Sequence, residues 1–163
     1  MRPSFFILKD YGDLLVSVKE QSNKIEYQAK QIDFDNHLNK YNSYLHELYR
    51  RIKREECNYS EQCTLMMKRI LISLWLMEKG HVPNDLGDWS KYEGNRSKLS
   101  DMQKNFISEY TPISFRKIGE FVNQINNVFY QAAINVSKKY DLAFNEEKHH
   151  RIVSLVDSEN MNR

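Results

Sequence analysis

Leu65-Met66-Met67-Lys68-Arg69-Ile70-Leu71-Ile72-Ser73-Leu74-Trp75-Leu76-Met77 decides the fold. Ten of these thirteen residues are apolar, and at helical repeat they cover most of the circumference. A helix of that kind needs neighbours on several sides. The reading is therefore a central, largely buried helix over about residues 60–79, stopped by Gly80, a residue suited to the left-handed turn after a helix. Lys68, Arg69 and Ser73 interrupt the run, which is too short to span a bilayer. The two cations are placed on the one wet stripe of the helix.

Upstream, no glycine or proline occurs between Asp13 and Lys79, so helix is expected throughout, broken only at polar clusters. A first helix is predicted over about 13–32. Asp13 caps it, and Leu14, Val18, Ile25, Ala29 and Ile32 lie on one side. A second follows from Phe34, Leu38, Tyr41, Leu45, Leu48 and Ile52, whose spacings alternate between four and three, the seam of a helix packed lengthwise on a partner. It is expected to end near Glu56, with Cys57-Asn58-Tyr59-Ser60 as a turn.

Downstream, residues 81–94 form the longest irregular segment. Ser100-Asp101-Met102-Gln103 then fits a capping box, opening a helix with Met102, Phe106, Ile107 and Tyr110. Thr111-Pro112 starts the most regular helix, striped by Phe115, Ile118, Val122, Ile125, Phe129, Ala132 and Val136, with Asn126 expected on its exposed side. A shorter helix is predicted over about 145–156, and 157–163 is a polar tail. The fold class is all-α, a single-domain helical bundle of five to six helices over 1–156.

The 163 residues carry 24 Lys+Arg against 22 Asp+Glu, a net charge of +2, which gives nucleic-acid binding no bulk electrostatic support. The apolar residues Phe5-Phe6-Ile7-Leu8 fall short of the roughly 7–15 of a secretion signal, and a cytoplasmic location is expected. Cys57 and Cys63 form neither a metal pair nor a disulfide framework. Asn, Lys, Ile, Tyr and Phe, all drawn from A- and T-rich codons, make up a large share of the chain, a pattern frequent in AT-rich bacterial genes.

No catalytic residues, metal ligands or cofactor are assigned. The sequence has no HExxH, no phosphate-cradling glycine loop and no G-x-S-x-G elbow. Glu146 and His150 share a helix face but supply two ligands where a metal site needs three or four. Helical hairpins around a buried seam resemble, in architecture, the HEPN ribonuclease domains. Those carry Arg followed after four to six residues by His. At that spacing from Arg96 this chain has Asp101, Met102 and Gln103, so the resemblance implies no catalysis.

What remains is binding. The 81–94 segment mixes aromatics with carboxylates, a composition typical of protein interfaces; the alternative is that Leu86, Trp89 and Tyr92 fold back to cap the bundle. Asp85, Asp88, Trp89, Tyr92 and Glu93, with Asp101, are the candidate contacts for another protein. The expectation is a non-enzymatic protein-binding protein, in its most concrete form a small bacterial inhibitor of a toxin enzyme, an immunity protein or antitoxin. The alternatives are an RNA-associated domain using Arg50, Arg51, Lys53 and Arg54, and a self-assembling structural protein.

Overall fold

The apolar run lies where its composition requires, inside α3 (Cys57–Glu78), which packs against α2 (Gln31–Lys53) on one side and α6 (Ile118–Tyr140) on the other. The computed structural model describes residues 9, 11, 12, 14–24, 27–83, 89–95, 97–109 and 118–156. Among these are α1 (Leu14–Lys24), α4 (Trp89–Glu93), α5 (Asp101–Glu109) and α7 (Glu146–Ser154), making seven helices and no strand. The seventh, beyond the five to six expected, is the short α4 inside the segment read as irregular. The helical bundle is otherwise as predicted, and Leu71, Leu74 and Trp75 are all buried at its centre.

Three helices end in the same way. After α3, Gly80 N–H donates to Met77 O at 2.8 Å and His81 N–H to Leu76 O at 2.8 Å, with Gly80 left-handed at φ 76°. That pair of bonds satisfies carbonyls that would otherwise have no intrahelical partner. α2 closes identically, through Glu55 N–H to Ile52 O and Glu56 N–H to Arg51 O, both 3.0 Å, and Glu55 takes φ 59°. α6 closes through Leu142 N–H to Ser137 O, with Asp141 at φ 52°. Two of these left-handed positions carry a side chain. The α2–α3 break is thus shifted from the expected place: α2 stops at Lys53, and Cys57-Asn58-Tyr59-Ser60 is the first turn of α3.

The start of the chain also differs. Instead of one helix over 13–32, α1 ends at Lys24, residues 27–30 are non-helical and α2 begins at Gln31. Leu14 and Val18 are 66% and 50% exposed, and Ile32 is exposed as well, while Ala29 is buried; Ile25 lies outside the described residues. The apolar spacing of α1 is real, but among the described residues no element covers Leu14 and Val18. Replacing both by Ser should therefore change the free energy of unfolding by less than about 1 kcal/mol, as surface changes do. A loss above about 2 kcal/mol in urea titration would show that α1 packs on the bundle after all.

α6 buries Ile118, Val122, Ile125, Phe129, Ala132 and Val136, the predicted stripe as far as it is described; Phe115, Thr111 and Pro112 lie outside. Asn126, expected to be exposed, is buried at 5%. Gly119, Asn126 and Ala133 form a second buried flank, because α6 packs on α3 and also meets Tyr41 of α2. Asn126 Oδ1 accepts a 2.7 Å hydrogen bond from the Tyr41 hydroxyl, which satisfies both buried groups. The Tyr41 ring stacks on Phe129 with 3.5 Å between centroids.

His149 of α7 is 4% exposed in an aromatic cluster, its ring stacked on Tyr130 with 5.7 Å between centroids and tilted against Phe144 at 5.8 Å. Burial, aided by neighbouring His150, pushes its pKa down to about 4. The unfolded chain protonates this imidazole near the ordinary 6.5, before the folded chain does. The contribution of neutral His149 is complete above 6.5 and lost as pH falls towards 4, a loss of about 3 kcal/mol. Urea midpoints at pH 7 and pH 4 should differ by less in His149→Phe than in the parent. An equal difference in both would mean that other groups carry the acid response.

Candidate functional site

The segment singled out in the sequence is held at both ends. Lys79 Nζ, just past α3, donates to Lys98 O and Gln103 Oε1, both at 2.7 Å. Gln103 belongs to the predicted capping box: Ser100 N–H donates to Gln103 Oε1 at 2.9 Å, and Gln103 N–H to Ser100 Oγ at 3.2 Å. This ties the end of α3 to the start of α5. Between them α4 turns back onto the bundle and stops at Gly94, where an added Cβ would lie 2.8 Å from Ser90 O.

α4 splits the predicted contact residues. Tyr92 is 2% exposed, a core residue rather than an accessible anchor, because its aromatic surface fills the gap beside α3. Trp89 is half-buried, edge-on to Tyr92 with 5.6 Å between centroids, and Glu93 is exposed. Asp85 and Asp88 lie outside the described residues. Asp101 is exposed and paired with Lys104 at 2.8 Å, which holds its carboxyl below the usual range.

Trp89 and Glu93 meet residues of α3 and α5 around a groove of about 580 Å³. Leu65 and Ile107 form its apolar walls, Glu61 and Glu93 stand at its mouth, and Lys68 lies beneath. Asp101 does not line it. Lys68 corrects the sequence reading: it is 3% exposed, with Nζ donating to Ile107 O at 2.7 Å and lying 5.8 Å from the centre of the Phe121 ring. Burial pushes its pKa down to about 8, and the Glu93 carboxylate pulls it back up. An ammonium under an apolar groove, steadied by a carboxylate, is a local charge pattern that a partner can read.

The basic run is less available than its sequence suggests. Arg51 bonds Glu47 at 2.9 Å and Glu56 at 2.6 Å, and its guanidinium lies 4.2 Å from the centre of the Tyr59 ring. Arg50 also pairs with Glu47, at 2.8 Å. The two arginines hold the Glu47 carboxyl below its usual range, chiefly through the Arg51 hydrogen bond. Lys53 and Arg54 are exposed.

The remaining chemistry is sparse. Among the described residues no three His, Cys, Asp or Glu side chains are grouped to hold a metal ion. Glu146 accepts a hydrogen bond from the Tyr130 hydroxyl. Arg96 lies outside the described residues. No helix among those described is long and apolar enough to cross a membrane. Compared with protein families, curated proteins and solved structures, the chain matches none.

Proposed function

We propose that the protein acts by binding another protein, which seats an apolar side chain in the groove between α3, α4 and α5. The observation that carries this reading is the groove's make-up, with Leu65, Trp89 and Ile107 as walls and Glu61 and Glu93 at the mouth. A half-buried tryptophan beside an apolar depression is the usual composition of an interface hot spot. The two carboxylates favour a partner whose apolar side chain is flanked by a cation, and they speed its approach. The specific form of the proposal is a small bacterial inhibitor of a toxin enzyme, supported by the chain's size and its AT-rich composition.

The test is a double variant, Leu65→Ser with Glu61→Lys, on side chains exposed enough to leave unfolding nearly unchanged. The partner is obtained by affinity purification with the full chain in its native host, then bound in purified form. We expect at least a tenfold weaker affinity in the folded double variant, about 1.4 kcal/mol. An unchanged affinity removes the groove from the interface. Recovery of RNA, with binding that weakens steeply as salt rises, replaces this reading by one using Lys53 and Arg54.

A further inference from the structure

α7 is fastened to the bundle by a histidine. Within the helix only His149 is buried; Ile152 and Val153 are half-buried, and Val156, just past its end, is buried too. The His149 imidazole sits among the rings of Phe129, Tyr130 and Phe144, at 5.9, 5.7 and 5.8 Å between centroids. A leucine or phenylalanine in that place would hold the helix at any pH. An imidazole holds it only while neutral, because charging it inside the cluster removes hydration that aromatic rings do not replace.

The groups around the ring do not compensate an imidazolium. Among the described residues its Nδ1 has no hydrogen-bond partner. On α2, Asp35, which lines the same hollow beside α7, is bonded to the Gln31 amide at 2.8 Å. On α6, the Tyr130 hydroxyl donates to Glu146, the carboxylate that opens α7. On α7 itself Lys148 and His150 flank the ring, and His150 further disfavours charge on it.

The connection before α7 is held separately. Gln31 Nε2 donates to Ala143 O at 3.0 Å, Gln31 Oε1 accepts from Ala143 N–H at 2.8 Å, and Phe144 packs edge-on against Phe34 at 6.1 Å. None of these four residues titrates, so the chain stays anchored as far as residue 144 whatever the charge on His149. We infer that α7 is an acid-released latch: protonation of His149 frees α7 from α6 at pH values where the bundle of α2, α3 and α6 stays folded. Release uncovers the faces of Phe129 and Tyr130 that His149 covers. No described residue of α7 lines the groove between α3, α4 and α5, so latch and groove are independent.

The docked ring has its pKa pushed down to about 4, whereas the ring of a released helix titrates near 6.5. Release therefore takes up a proton, and its equilibrium constant should rise about twentyfold from pH 7 to pH 5. Amide hydrogen exchange of the full chain, corrected for the intrinsic effect of pH, measures this. The α7 amides should be less protected than those of Leu71 and Leu74 at both pH values, as expected of a unit that opens on its own. They should lose about twentyfold in protection at pH 5. In His149→Phe their protection should not change with pH. The His149 ring of the parent chain, followed by ¹⁵N NMR, should titrate well below 6.5, which decides the matter should the variant fail to fold. Any of four results overturns the latch: α7 protection independent of pH in the parent, α7 amides as strongly protected as those of α3, the same acid loss in His149→Phe, or a ring midpoint near 6.5.

Discussion

Ile125→Asp is expected to leave the chain unfolded. Ile125 is wholly buried on α6, where that helix faces the central α3, and a carboxylate there has no partner within the apolar seam. Burying such a charge exceeds what a domain of this size can absorb, since total stability is about 5–15 kcal/mol. The informative control is Asn123→Asp, two residues earlier on the exposed side of α6, where the change should be mild. Circular dichroism and urea titration of the two variants decide the matter. Similar behaviour would mean that α6 turns a different face to the bundle. Asn126 is unsuitable as the control, because its side chain holds the Tyr41 hydroxyl.

Leu74→Ala carries the second large effect. Leu74 is fully buried on α3, the helix that touches both α2 and α6. Removing its branched end withdraws contacts from a site whose walls belong to separate helices and cannot all close in. The expected loss is about 2–5 kcal/mol, the range of large-to-small changes in packed cores. A loss below about 0.5 kcal/mol in denaturant unfolding would place α3 at the periphery and overturn the architecture.

The bundle was legible because it rests on repeated apolar spacing. The α3 run from Met67 to Met77 and the α6 stripe from Ile118 to Val136 each required burial, and their apolar residues are buried; only Leu65 and Met66, at the start of the α3 run, are not. The capping box at Ser100 and Gln103 was legible for a different reason, since its two reciprocal bonds depend only on local sequence. The α2–α3 break was misplaced because a glutamate, not a glycine, takes the left-handed position. Asn126 was misread by following a single stripe. Gly119, Asn126 and Ala133, spaced by seven, were already visible as a second flank of small side chains.

The candidate groove was half legible. Trp89 and Glu93 were found because one segment contains both. Leu65 and Ile107 were not assigned to it, since their convergence depends on how α5 returns beside α3, which no local pattern reports. Lys68 did leave a signal. Its neighbours at three and four residues, Leu71 and Ile72, are core residues, so its position in the run implied a buried ammonium rather than a wet stripe.

The hydrogen bond between Tyr41 and Asn126 spans 85 residues of sequence and bears on how the chain avoids misfolding. The α2–α3 hairpin is made of contacts close in sequence and can assemble early; α6 arrives only after a long loop has closed. Apolar residues recur so regularly along α2 and α6 that a slide of one turn would still bury most of them. It would also strand a phenolic hydroxyl and an amide in the interior, at about 1–3 kcal/mol each. The pair thus works as a proofreading contact, penalising out-of-register docking that the apolar seam alone tolerates, much as a single buried asparagine sets the alignment of a coiled coil.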